Sequence, residues 1–159
     1  MEKRTILRIE VIPHSEQRYD TIGDWMYTDE GELVIRVSEL IDTFAEVLVG
    51  LHEAVEATAM SHVNGQALEN STLQYFDRVV CAFDKDFEAQ RKMTLIGSGD
   101  FMCTAGHTHG IDDEPGDCAA APYRNAHSLA TALERMLCAF VGYPWQRYET
   151  ACLTPVKEK

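Results

Sequence analysis

The sequence feature that most constrains the fold is an apolar helix around residues 46–57 that also carries ionisable side chains. Apolar residues recur at steps of three or four and predict one helix face: Ile41, Phe44, Leu48, Leu51 and Val55. His52 and Glu56 are four residues apart, so they lie one above the other beside this face. A helix this apolar is expected to be central, where ionisable groups must be paired, protonated or bound to a metal.

The spacing of these ionisable residues favours a metal site. His52-Glu53-x-x-Glu56 is a variant of the zincin pattern His-Glu-x-x-His, in which two ligands one turn apart bind one ion. The intervening Glu is the general base there, so Glu53 is predicted as base or further ligand. The pattern predicts zinc as the divalent ion. A carboxylate in the second position makes the site richer in oxygen, which leaves manganese or iron as alternatives. The alternative interpretation is a core histidine bonded to a neighbouring carboxylate.

A third ligand has to come from elsewhere in the chain, and His127 is the predicted one. It lies near the start of the last predicted helix, and Glu134 follows seven residues later along the same face. The apolar residues expected to pack this helix beside the central one are Leu129, Leu133 and Leu137. The alternative for His127 is a surface or helix-capping residue.

The predicted fold class is α+β, in a single domain that spans residues 1–159. Alternating β-branched residues predict strands within residues 4–37, with a hairpin around Asp29-Glu30-Gly31. The predicted architecture is a small antiparallel N-terminal sheet packed on about three helices, with a long loop before the last helix.

Helical spacing places the helices at about residues 39–63, 68–92 and 123–141. Ser38 is the predicted N-cap of the first helix, and the tail from Thr150 onward is expected to be loosely held. The loop at 97–122 contains Cys103-x-x-x-His107-x-His109, which has the elements of a metal site but lacks the second pair of a structural zinc module. It is predicted to be a mobile lid over the central site.

Charge and cysteine content limit the partners and the compartment. The formal net charge of −12 and pI near 4.8 argue against binding to nucleic acid or to an anionic membrane, and they permit a basic partner. The five cysteines form no Cys-x-x-Cys pair, and the sequence has neither a signal-peptide core nor an apolar run of membrane-spanning length. A reducing, cytoplasmic setting with free thiols is expected.

Segments spread over most of the chain resemble a family of small uncharacterised proteins of bacteriophages and prophages. They are IPHSEQRY at 12–19, GDW at 23–25, IRVS at 35–38, GLHEAVEA at 50–57, EPGD at 114–117, APY at 121–123, and His127. The resemblance implies no activity. It joins the central helix, the loop and His127 in one pattern, and it implies that the compartment is the host cytoplasm.

Three functions are compatible with these features. The first is a metal-dependent hydrolase, such as a minimal metallopeptidase, that acts on a small substrate or peptide and has His52, Glu56 and His127 as ligands. The second is a nucleoside triphosphate pyrophosphohydrolase of the all-helical type, in which Glu53, Glu56 and the carboxylate pair Asp84 and Glu88 would hold Mg²⁺. Considered without this function, Asp84 and Glu88 are predicted to lie on a solvated face of their helix. The third is a non-enzymatic phage accessory protein that binds a host protein through its acidic surface.

Overall fold

The N-terminal part of the chain forms a three-stranded sheet. The computed structural model describes residues 5–94 and 99–156. The strands are β1 (Leu7–Ile12), β2 (Gly23–Tyr27) and β3 (Leu33–Ser38), in the order β1-β3-β2. The predicted α+β class is confirmed, and β2 and β3 form the predicted antiparallel hairpin.

The direction of β1 differs from the prediction of an antiparallel sheet. β1 pairs with β3 in parallel, with Leu7 opposite Leu33 and Ile12 opposite Ser38. Parallel neighbours need a connection that returns the chain to the starting end, commonly a helix. Here β2 makes that return: the chain turns at 13–22, descends along β2, and rises again as the central strand.

The central helix, α1 (Thr43–Met60), begins later than predicted. Its N-cap is Asp42, whose carboxylate accepts a hydrogen bond from the Phe44 backbone N–H at 2.9 Å. Ser38 was the wrong N-cap, because β3 continues through it and its buried hydroxyl donates to the Thr21 carbonyl at 3.1 Å.

The remaining helices are α2 (Asn70–Thr94), α3 (Arg124–Val141) and α4 (Trp145–Cys152). The sequence predicted α2 and α3 but not α4, since Gly142 and Pro144 indicated a helix end. Gly142, at φ +72°, is the C-cap of α3, and Pro144 is the N-cap of α4. The expectation of a loose tail is wrong for 150–156: Ala151 is buried, and the Val156 backbone N–H donates to the Glu39 carbonyl at 2.9 Å.

The loop predicted at 97–122 contains regular structure. Its described part holds an antiparallel hairpin of β6 (Asp100–Met102) and β7 (Thr108–Gly110), followed by a 3-10 helix at Pro115–Asp117. A further short hairpin, β4 (His62–Val63) with β5 (Gln66–Ala67), connects α1 to α2. The hairpin of β6 and β7 packs against α2, so the segment before α3 is anchored rather than detached.

The hydrophobic core lies between the sheet and α1. Ile35 and Val37 of β3 and Leu48 of α1 are fully buried in it, and Trp25 of β2 joins them. Fully burying an aliphatic side chain of this size contributes about 1.5–3 kcal/mol. In the part of the chain that the structure describes, no helix combines the length and apolarity needed to cross a membrane.

Candidate metal centre

His52 and Glu56 of α1 and His127 of α3 meet in the interior. His52 Nε2 lies 2.9 Å from Glu56 Oε1 and 3.0 Å from His127 Nδ1, and His127 Nδ1 lies 2.7 Å from the same oxygen. All three residues are buried. The structure therefore brings together the three residues predicted as ligands, and their atoms converge on one point.

The contact of His127 with His52 and Glu56 depends on which face of α3 is buried, and this face differs from the predicted one. The residues that this helix buries are small or polar: Ala126, His127, Ala130, Glu134 and Cys138. The expectation that its leucines pack beside α1 is wrong for Leu129, which is 49% exposed. Leu137 packs against the core, and Leu133, although 42% exposed, lines an apolar groove together with Leu51 of α1. Alanines let the two helices approach closely, and the space between them is filled by imidazoles and carboxylates.

Both imidazoles have a carboxylate on their outer nitrogen. His52 Nδ1 lies 3.0 Å from Glu134 Oε2, and His127 Nε2 lies 3.3 Å from Glu114 Oε2. Metal-binding histidines almost always have such a partner, because it fixes the ring and makes the ligating nitrogen more basic. The Tyr148 hydroxyl of α4 in turn donates to Glu134.

The 3-10 helix at Pro115–Asp117 covers the His127 ring. A Cβ at Gly116 would lie 2.3 Å from His127 Cγ, so a glycine is needed for this approach. On the other side, Trp25 Nε1 donates to Glu56 Oε2 at 3.4 Å. The group of His52, Glu56 and His127 is thus enclosed by β2, α1, α3 and the segment before α3.

The electrostatics of the three groups fit a site for a cation. Burial acts to lower the pKa of His52, but hydrogen bonds to Glu134 and Glu56 raise it well above its usual value. Burial acts to raise the pKa of Glu56, but hydrogen bonds from His127 and His52 lower it. The surroundings therefore favour an ionised carboxylate with positive charge beside it. A proton on the imidazoles supplies that charge, and a bound metal ion would have to displace this proton.

Glu53 lines the cavity of about 260 Å³ onto which the three ligands open. Its carboxylate lies against β2, since a Cβ at Gly23 would be 2.3 Å from Glu53 Oε1. Burial and the nearby charge of Glu56 raise the pKa of Glu53 well above its usual value. The structure thus places the predicted base in the same cavity as the predicted ligands.

Asp84 and Glu88 are buried, which corrects the expectation of a solvated face. The Tyr123 and Tyr19 hydroxyls donate to Asp84 Oδ1 and Oδ2 at 2.7 and 2.8 Å. Burial raises the pKa of Asp84 to about 7. Glu88 pairs with Arg91, so both carboxylates already have protein partners.

Several residues of the site carry no signal in the sequence. Tyr19 comes from a polar turn, and Tyr148 lies on the helix that was not predicted. Glu134 was the exception, because its seven-residue spacing from His127 placed both on one face. No spacing in the sequence connects Tyr19 or Tyr148 with the site, and the tertiary fold brings their side chains to the cavity.

Comparison with known proteins gives no match: no protein-family model, no curated protein and no solved structure corresponds to this chain. The resemblance to phage and prophage proteins therefore stays a prediction, and functional argument rests on the site itself.

Proposed function

We propose that this protein is a metal-dependent hydrolase whose ion is bound by His52, Glu56 and His127. The observation that carries the proposal is the convergence of two imidazole nitrogens and one carboxylate oxygen within 3.0 Å of each other, each imidazole having a carboxylate on its outer nitrogen. Two histidines and one glutamate form the ligand set of zinc peptidases, which leave a position for water or substrate.

A purely structural hydrogen-bond network explains the contacts less well. Two imidazole nitrogens face each other at 3.0 Å while both face the same Glu56 oxygen. Burial acts to lower the pKa of His127 and the hydrogen bond to Glu56 raises it above its usual value, but a second proton on His52 would oppose the charge of His127. A single cation between the three atoms satisfies all three lone pairs at once.

Glu53 is proposed to act as the general base. A bound divalent ion lowers the pKa of a water ligand to about 7. Glu53 would take a proton from this water as the water oxygen bonds to the substrate carbonyl carbon. It would pass the proton to the leaving nitrogen or oxygen as the bond from the carbonyl carbon to that atom breaks.

The cavity walls favour a neutral or cationic substrate over a polyphosphate. The carboxylates that line it include Glu53, Asp84, Glu88 and Glu114, against a single arginine, Arg91. The pyrophosphohydrolase alternative needs Asp84 and Glu88 as Mg²⁺ ligands, yet both are already bonded to tyrosines or to Arg91. A small ester, amide or peptide is therefore the proposed substrate class.

A reducing cytoplasm, of the host if the chain is phage-encoded, is proposed because the cysteines are free.

Elemental analysis of protein purified without chelator or His tag tests the ligand set. His52→Ala and His127→Ala should each lose the central ion, whereas His62→Ala, an exposed histidine just after α1, should retain it. Because the same donor set also suits manganese and iron, the metal is identified before substrates are screened. An unchanged metal content in both ligand variants would contradict the proposal.

Turnover is then tested with Glu53→Gln. This variant should keep the ion and lose hydrolysis of peptide and ester substrates by about 10²-fold or more, the contribution of a positioned base. Metal retained in the wild type without hydrolysis of any of these substrates would favour a binding role, such as the accessory protein that captures a host protein.

A further inference from the structure

We propose that a second, structural zinc ion is bound by four residues of the segment before α3: Cys103, His107, His109 and Cys118. Three of them come from the hairpin of β6 and β7, and Cys118 follows the 3-10 helix. One potential ligand atom from each lies within 4.8 Å of the others. Cys118 supplies the second thiol that the local motif lacked.

The distances suit tetrahedral zinc. The two sulfur atoms are 3.8 Å apart, and His107 Nδ1 is 3.3 Å from the Cys118 Sγ. Two thiolates at about 2.3 Å from a tetrahedral zinc ion lie about 3.8 Å from each other. The sulfur separation is far above the roughly 2.05 Å of a disulfide.

His109 gives an independent indication of a ligand. Its side chain is only 7% exposed, and its Nε2 has no hydrogen-bond partner among the described residues. A buried polar atom without a partner costs about 1–3 kcal/mol. Its other nitrogen, Nδ1, lies 3.6 Å from Asp113 Oδ2, so the ring again has a carboxylate behind the free nitrogen.

The local fold presents the four side chains to one point. The Cys103 backbone N–H donates to the His107 carbonyl at 3.0 Å, and the tight turn between them has Gly106 at φ +82°. The Cys118 sulfur accepts from the Ala120 backbone N–H at 3.4 Å. Phe87 and Phe101 pack on the His109 ring, with centroids at 4.9 and 5.5 Å, and shield this side of the group from water.

The chemistry of the donor set indicates a structural role. Four protein ligands complete the coordination of zinc, and two soft thiolates favour zinc over manganese or magnesium. Glu114 and Gly116, which approach His127, lie between the zinc ligands of the hairpin and Cys118. The ion would therefore hold the wall of the central cavity in place, in contrast to the mobile lid that the sequence predicted. This site shares no residue with the proposed hydrolytic centre.

Cobalt substitution tests the proposal. Metal-depleted, reduced wild type should take up Co²⁺ with the intense near-ultraviolet absorption of thiolate coordination. Cys103→Ser and Cys118→Ser should lose that absorption and one equivalent of zinc per chain. Cys81→Ser, which changes a buried cysteine on α2 outside the group, should keep both. His52→Ala should also keep the thiolate absorption, so failure of this site and failure of the central site are distinguishable.

A rescue variant guards against simple misfolding. His107→Cys should retain zinc, because three cysteines and one histidine also form a structural site, and its cobalt spectrum should show an additional thiolate ligand. Cobalt uptake without thiolate absorption in the wild type would overturn the proposal. Equal zinc content in wild type and Cys118→Ser would do the same.

Discussion

The central centre and the hairpin centre differ in ligands, scaffold and surroundings. The first takes oxygen and nitrogen from two long helices and opens onto a cavity. The second offers two sulfurs and two imidazoles from a hairpin and a loop, against a wall of aromatic rings. Three hard or borderline ligands with space beside them suit chemistry on a bound water, whereas four ligands including thiolates suit a structural ion. If both proposed ions bind, the number and softness of the donors would give them different roles within one chain.

The two centres also differ in the carboxylates that contact the outer nitrogens of their histidines. In the central centre, Glu134 and Glu114 lie behind the two imidazoles, and Tyr148 donates to Glu134. At the hairpin, Asp113 lies behind His109 at the longer distance of 3.6 Å. Hydrogen-bonded side chains therefore hold the central residues, whereas backbone hydrogen bonds and aromatic packing position the hairpin residues.

Removal of metal is expected to have the largest effect, which is a loss of amide-exchange protection in the hairpin. A strong chelator should abolish amide-exchange protection between residues 99 and 123, because structural zinc contributes about 10 kcal/mol or more in small zinc modules. Protection of α1 and β3 should persist, since their core contacts involve no ion. Hydrogen exchange read by mass spectrometry checks this, with zinc and magnesium re-addition as matched controls. Unchanged protection of the hairpin would remove the distinction between the two centres.

Glu56→Ala should have the next largest effect, this time on the central centre. Removing the carboxylate leaves His52, His127 and Trp25 without their shared partner, and breaking such buried pairing costs about 3–5 kcal/mol. Urea unfolding measures the free energy of unfolding, with exposed Glu30→Ala as control. The variant should still bind cobalt with thiolate absorption. Loss of that absorption would show that the centres are not independent.

The pH dependence of stability should reveal the buried carboxyl of Asp84. Its pKa is about 7 in the folded protein against 3.8 for an ordinary Asp, so the folded state binds the extra proton between these values. Stability of the wild type therefore falls as pH rises from about 4 to 7, and the penalty is complete above pH 7. Asp84→Asn should remove this loss.

The free energy of unfolding of the wild type should fall relative to that of Asp84→Asn by about 2.5 kcal/mol between pH 5 and pH 7. The limiting slope is about 1.4 kcal/mol per pH unit. Urea unfolding at each pH, in identical buffers and at equal metal content, measures it. Parallel curves for the two proteins would show that Asp84 is ionised in the folded state.

The smallest expected effect comes from changing Glu134, which contacts a proposed ligand but is not itself one. Glu134→Gln should weaken metal affinity of the central centre by about 10–100-fold while leaving the hairpin zinc unchanged, because it loosens His52 without removing a ligand. Competition with a chromophoric chelator measures the affinity. Glu149→Gln, on exposed α4 surface, is the control. Equal affinities of Glu134→Gln and wild type would place Glu134 outside the centre.

The sequence predicted the parts of this molecule that depend on local spacing. His52 and Glu56 were found because one helical turn brings them together, and the class of fold followed from strand and helix periods. Cys118 was not connected to Cys103, because fifteen residues and two changes of direction separate the two thiols. The buried face of α3 was predicted wrongly because hydrophobicity was taken as the guide, whereas His127 and Glu134 are buried for their polar contacts.

The separation of the ligands along the chain also sets an order of assembly. Cys103 and Cys118 are 15 residues apart, and His52 and His127 are 75 residues apart. Closing the longer loop costs about 1.4 kcal/mol more chain entropy, about a tenfold difference in probability. During refolding the hairpin would therefore capture its ion early, as a local nucleus, and the central ion would bind only after α1 and α3 have docked.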